Sequence, residues 1–226
     1  MLITEIYRSV QGESSYTGVP CIFVRLTGCN LRCSWCDSEY TFTGGRHMSQ
    51  DEVLDAVRAC GPAPLVEITG GEPMLQEREA VPLMSALIGA GYKVLLETSG
   101  ERALANVPKD VVKIVDVKCP DSAMGDTFRR ENLDALVPHD EVKFVIASRA
   151  DYEFARDFTR AHDLEGRVAN VIFSPAFRKD ARGFRDASHC LVDPRELVDW
   201  ILSDNLNVRL GLQVHKFIWD PATKSV

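Results

Sequence analysis

CIFVRLTGCNLRCSWCDS, residues 21–38, joins two unlike patterns. Residues 21–27 form a short apolar run of the kind expected of a strand buried on both faces. Three cysteines, Cys29, Cys33 and Cys36, follow at once. The chain therefore leaves a strand at its carboxyl end and enters a loop of metal-binding side chains. In α/β folds with parallel sheets that edge is the working surface.

Similar runs recur at 65–69, 93–97, 113–118, 142–147, 169–173 and 208–214. Helical patterns lie between them. Ser49-Gln50-Asp51-Glu52 reads as a capping box, with Leu54, Val57 and Cys60 on the apolar face. Asp193-Pro194-Arg195-Glu196 reads as a second helix start, with Val198, Ile201 and Leu202 facing the core. Asp151 is expected to cap a helix to His162, and 77–90 to form another. Repeated strand–helix–strand units mean a mostly parallel sheet with helices packed against it. Complete eight-fold barrels are typically ~250 residues. At 226 residues the expectation is one domain, 1–226, built as an incomplete (truncated) parallel β/α barrel. A doubly wound open sheet is the alternative, and periodicity does not separate the two.

The chain is 45% hydrophobic and 26% charged, as ordinary globular domains are. Its net charge of -7 argues against non-specific nucleic-acid binding. No apolar run approaches the roughly 18 residues of a membrane span, and the first residues lack the pattern of a signal peptide. Seven unevenly spaced cysteines suit a reducing cytoplasm, where clustered thiols indicate metal or redox chemistry.

The cysteine loop offers three thiolates, not four. Structural zinc would need a second ligand pair, and His47, His189 and Cys190 lack ligand spacing. A thioredoxin-type pair would not be crowded by Cys29. Three thiolates can instead hold three irons of a 4Fe-4S cubane and leave the fourth open. The spacing CxxxCxxC, with Trp35 before the last cysteine, resembles that of the radical S-adenosylmethionine enzymes. The resemblance implies that S-adenosylmethionine fills the open corner and is cleaved to a 5′-deoxyadenosyl radical. Thr69-Gly70-Gly71-Glu72-Pro73, one strand on, supports it, since glycines admit close backbone approach.

Val10-Gln11-Gly12-Glu13, Arg25, Cys36-Asp37-Ser38, Thr41, Glu97-Thr98-Ser99-Gly100, Lys118-Cys119-Pro120 and Gln213-Val214-His215-Lys216 complete an ordered set. Together they resemble the 7-carboxy-7-deazaguanine synthase family over essentially the whole chain. This resemblance implies a dimeric truncated barrel that acts on 6-carboxy-5,6,7,8-tetrahydropterin, with a flavodoxin or ferredoxin as electron donor. It implies substrate contacts at Val10, Gln11, Gly12, Glu13, Arg25, Thr69 and His215, the last placed in the final strand. Glu13 would accept from the pterin amidine. Arg25, a charge inside an apolar strand, would grip the substrate carboxylate, or else form a buried structural ion pair. Cosubstrate contacts are implied at Trp35, Cys36, Asp37, Gly71, Ser99, Asp116, Val117, Lys118, Ser174 and Pro175. Asp116 and Ser174 depart from the family's usual residues. Ser38 stands where the family places a Mg2+ ligand, often threonine. Queuosine or another deazapurine pathway would take the product. A glycyl-radical activating enzyme, an electron carrier and structural zinc are the competing readings.

Overall fold

The computed structural model describes residues 1–179, 186–220 and 223–225. Its strands are β1 (Leu2–Val10), β2 (Pro20–Leu26), β3 (Arg46–His47), β4 (Leu65–Gly70), β5 (Lys93–Thr98), β6 (Val112–Asp116), β7 (Glu141–Ile146), β8 (Asn170–Pro175) and β9 (Arg209–Leu210). Its helices are α1 (Gln50–Ala59), α2 (Glu77–Gly89), α3 (Arg149–Ala161), α4 (Leu164–Arg167), α5 (Pro194–Ser203) and α6 (His215–Ile218).

Among the described residues the strands form one nine-stranded sheet, ordered β3-β1-β2-β4-β5-β6-β7-β8-β9. From β2 through β9 every pairing is parallel, whereas β1 runs antiparallel to β2 and to β3. The edge strands β3 and β9 do not pair, so the barrel stays open.

Sidedness separates the two candidate architectures. Alternate strand residues, such as Val24, Ile68, Leu96, Val115, Phe144 and Phe173, share one core with Val57 of α1, Leu83 of α2, Tyr152 of α3 and Leu197 of α5. The helices thus cover one face, as in a barrel; a doubly wound sheet carries them on both. The other face is graded. Cys21, Phe23, Leu65, Leu95, Val112 and Ile114 make an apolar floor near the strand starts. Toward the strand ends the same face carries Arg25, Glu67, Thr69, Glu97, Asp116 and Lys143, all on the wall of one cavity. That face is polar where a ligand would sit and apolar beneath it.

Several expectations need correction. The apolar-run criterion does not register β1, because LITEIYRSV mixes polar residues into its alternation. The run 208–214 yields only the two-residue β9, with Leu210 and Leu212 partly exposed. Gly211 passes too close to Ile172 and Ser174 for a side chain, and the chain then turns inward. His215 consequently begins α6 rather than lying in a strand. Among the described residues no α-helix bridges β5 to β6 or β6 to β7; the second connection carries short 3-10 turns at Pro120–Ser122 and Arg130–Ala135.

The capping box at Ser49 and Glu52 is present. The most buried α1 residues are Val53 and Val57, with Leu54 and Cys60 only half-buried. In α5 they are Leu197 and Ile201, and Leu202 is 68% exposed. Ser148 caps α3, not Asp151. Asp151 accepts from the backbone N–H groups of Asp121 at 2.9 Å and Ala147 at 3.0 Å, tying α3 to the turn beside the cysteine loop.

Candidate functional site

The loop between β1 and β2 enters the barrel from the side where the parallel strands begin. Gln11 is buried and donates to Glu67 of β4 at 2.6 Å. Ser15 binds Glu141 at the start of β7 through both its backbone N–H and its hydroxyl. Between these anchors Glu13 meets Lys143 of β7 and accepts from Gln213 at 2.8 Å. Gly12 lies against His215: a Cβ there would overlap the imidazole, and Val214 donates its N–H to the Gly12 carbonyl at 2.9 Å.

Lys143 is 2% exposed and ion-paired with Glu13 and Glu97, with Asp116 at 3.7 Å. Burial disfavours its charge, yet these carboxylates hold its pKa well above the ordinary lysine range. Burial also opposes ionisation of Glu13, but Lys143, His215 and Lys216 pull that carboxyl down to about 2. Glu67 behaves oppositely: burial and the nearby Glu97 push it up to about 8, so it is largely protonated at pH 7. Burial outweighs the attraction of Glu13 at His215 and leaves its imidazole neutral at pH 7.

Arg25 donates from Nε to Glu5 and from Nη2 to Tyr7, both at 2.9 Å. The buried ion pair therefore exists. Arg25 also lines the cavity, so the two readings coexist.

Cys29, Cys33 and Cys36 are half-buried and lie on the wall of this same cavity. Burial raises all three thiol pKa values, while Lys118 lowers them. The loop is held from outside by Ser34, whose N–H donates to Ser122 and whose hydroxyl donates to Asp121. Three thiols on one loop, with a cation beside them, fit the donor set of an iron–sulfur cluster. Asp116 adds a second sign of fit. Its Oδ2 accepts from Lys118 at 2.7 Å, and its buried Oδ1 has no hydrogen-bond partner among the described residues. An acceptor left open on a cavity wall suits a hydroxyl-bearing ligand such as a ribose.

The glycine pair also packs two loops together. Side chains at Gly70 or Gly71 would overlap Leu26 or Gly28, and one at Gly71 would come 2.6 Å from the Cys29 Cβ. The glycines bring β4's exit loop against the cysteine loop, and both also line the cavity. Glu72 accepts from Thr98 Oγ1 at 2.7 Å and from the Ser99 N–H and hydroxyl at 2.8 and 2.6 Å. The Ser99 hydroxyl is thus engaged within the protein. Gly71→Ala is expected to cost about 1–3 kcal/mol by overpacking. Thermal unfolding should show the loss, together with lower iron content after reconstitution.

Val10, Trp35, Asp37, Ser38, Thr69 and Lys118 also line the cavity. Val117, Ser174 and Pro175 do not: Val117 packs in the helix-side core, and Ser174 and Pro175 are buried in β8. Ser38 donates to Asp37 at 2.9 Å. Lys216 pairs with Asp37 at 2.6 Å, and overcomes burial to lower that carboxyl's pKa.

Lys143, Glu67, Tyr7 and Glu5 receive no role from the motifs. The first two carry the same signal as Arg25, a charge inside an apolar strand: VEI in β4 and VKF in β7.

Comparison with known proteins places this geometry. The Radical SAM superfamily matches residues 23–170, which sets the chain among the radical S-adenosylmethionine proteins. Over 226 residues the chain is 74% identical to the 7-carboxy-7-deazaguanine synthase of Koribacter versatilis (strain Ellin345), covering 100% of each. With that of Chlorobaculum tepidum it shares 39% over 227 residues, 99% of this chain and 96% of the relative. The chain belongs to the 7-carboxy-7-deazaguanine synthase family. Its fold is similar to that in the crystal structure of QueE from Escherichia coli, at TM-score 0.72 and 24% identity over 93% of this chain and 92% of the other.

Proposed function

We propose that the chain converts 6-carboxy-5,6,7,8-tetrahydropterin to 7-carboxy-7-deazaguanine with release of ammonia, as a radical S-adenosylmethionine lyase of deazapurine or queuosine biosynthesis. One observation carries this reading: a single cavity joins three cysteine thiols to a floor holding Arg25, Glu13 and Lys143. When bound, the 4Fe-4S cluster and S-adenosylmethionine would supply the radical chemistry that opens the ring contraction of the pterin. Cys29, Cys33 and Cys36 would hold the cluster. Asp116 Oδ1 would accept from the cosubstrate's ribose, with Lys118, Gly71 and Trp35 beside it.

The remaining steps belong to this chain's own residues. Ionised Glu13 accepts from the amidine N–H pair, with Gln11 and Gly12 shaping the loop around it. Arg25 turns its other N–H groups to the substrate carboxylate while Glu5 and Tyr7 fix the guanidinium plane. Neutral His215 and Thr69 complete the polar wall. Trp219, Thr223 and Ser225 also line the cavity, and Ser225 donates to Glu5 at 2.8 Å. A wall closed in this way favours a small substrate over the polypeptide of an activating enzyme.

Ser38 would supply a hydroxyl to Mg2+, which keeps most of its remaining ligands as water and substrate oxygen. Ser38→Ala should abolish stimulation by Mg2+ while leaving iron content unchanged. An unaltered metal response removes the serine as a ligand. In this reading residues 1–226 form a single domain that works as a homodimer in the cytoplasm, with a flavodoxin or ferredoxin as donor. Separately, no helix among the described residues is long and apolar enough to cross a membrane.

Anaerobic incubation of cluster-loaded protein with reductant, S-adenosylmethionine, Mg2+ and the pterin should give a product lighter by one ammonia in the mass spectrum. Cosubstrate cleavage without that product would reject the assigned substrate.

A further inference from the structure

Lys143 stands apart from every motif, yet three site elements converge on it. Its ammonium touches Glu13 of the β1–β2 loop and Glu97 of β5, and stands 3.7 Å from Asp116 of β6. The strand side chain itself is almost wholly buried. An ammonium has three donors and no acceptor, so it can serve several carboxylates at once but can take a proton from none. Its chemistry here is that of a fixed charge.

We infer that Lys143 is the positioning residue of the substrate floor, a single buried ammonium that keeps Glu13 ionised and aimed for the donor edge of an aminopyrimidinone. The inference rests on the pterin reading given above for Glu13. Its physical basis is the crowd of acids on this face. Glu13, Glu67, Glu97 and Asp116 all line one cavity. Like charges so close raise one another's pKa values unless a cation intervenes. Glu67 shows what happens without a direct ion pair among the described residues: its carboxyl accepts from neutral Gln11 and stays largely protonated. Glu13 has Lys143 and stays charged.

Of the other groups facing Glu13, His215 and Lys216 also lower its pKa, but less than Lys143 does, and neither makes an ion pair with it among the described residues. His215 is neutral at pH 7. Lys216 is committed to Asp37 and Gln213. Arg25 is paired with Glu5, and Lys118 with Asp116. A protonated Glu13 would present a donor to a donor and repel the amidine edge. The raised pKa of Lys143 also argues against a role as the acid that protonates departing ammonia.

The test has two arms. In the first, cluster-loaded protein labelled with carboxyl-13C glutamate is titrated by NMR, with Glu13→Gln assigning the signal. Wild-type Glu13 should remain ionised down to about pH 4, whereas in Lys143→Gln its midpoint should rise to about 7 or above, toward the value of about 8 at the unpaired Glu67. In the second, equilibrium binding of 6-carboxy-5,6,7,8-tetrahydropterin is measured without reductant, from about pH 6 to about pH 8. Lys143→Gln should weaken binding at least about ten-fold at the acid end, and the deficit should shrink as pH rises and Glu13 ionises. Lys143→Arg, which keeps the charge, should restore both readouts.

A Glu13 that stays ionised in Lys143→Gln overturns the inference, as does a binding loss that is the same at every pH. If Lys143→Gln fails to fold, Lys143→Gln/Glu97→Gln removes the ammonium together with one carboxylate, and Glu13 must still titrate above its wild-type midpoint. A wild-type protein that does not bind the pterin rejects the substrate assignment, while the NMR arm still decides the role of Lys143.

Discussion

Cys33→Ala is expected to abolish formation of 5′-deoxyadenosine entirely. Removal of the middle cysteine leaves two ligands on the loop, too few to retain a cubane with one open corner. No other thiol can replace it. Cys119, which follows β6 at the working edge, is 1% exposed, packs in the helix-side core and does not line the cavity. Cys21 is buried in the apolar floor, at the opposite end of β2 from the loop. Cys33 is itself only half-buried and lies outside both core clusters, so the fold should survive. The variant should melt within about 1 kcal/mol of wild type. Iron analysis and the visible spectrum should show the loss directly. Retained cosubstrate cleavage in this variant would show that the cluster sits elsewhere.

Arg25→Ala should raise KM for the pterin by about 100-fold or more. Truncating one partner of a buried charge pair costs roughly 2–5 kcal/mol, and a factor of 100 is about 2.7 kcal/mol. The effect must be separated from damage to the ion pair with Glu5. Glu5 keeps a hydrogen bond from Tyr40 at 2.7 Å after the arginine is gone, so it is not left bare. Iron content and pterin-independent cosubstrate cleavage should therefore stay close to wild type. Arg25→Lys should recover little, since a point charge cannot reproduce the planar fork. If Arg25→Ala binds pterin normally, the arginine serves only Glu5 and Tyr7.

Much of this was readable in the residues themselves, and the parts that were not have physical causes. The parallel strands announce themselves because burial on the helix side demands apolar residues at every second position. Their inner positions are apolar near the start and polar near the end, so each run looks continuous until Glu67, Glu97 or Lys143 interrupts it. Arg25 stands out by that rule, and Lys143 obeys the same rule in VKFVI. β1 is less visible because one of its faces meets polar partners, including Arg25 at Glu5 and Tyr7. His215 reads as a strand residue because 208–214 alternates, but the alternation leaves Leu210 and Leu212 partly exposed rather than buried in a core. Gly70 and Gly71 are legible as close-approach positions, but not what approaches: the neighbouring loop at Leu26, Gly28 and Cys29. Pairwise facts of that kind depend on which strands lie side by side, and local spacing does not carry them.

The account turns on an iron site that the protein deliberately leaves short of a ligand. Its most direct test is the electron paramagnetic spectrum of the reduced, cluster-loaded protein, recorded with and without S-adenosylmethionine. A clear change in the signal on adding the cosubstrate, lost in Cys33→Ala, is the result expected. Identical spectra in the presence and absence of S-adenosylmethionine would contradict it.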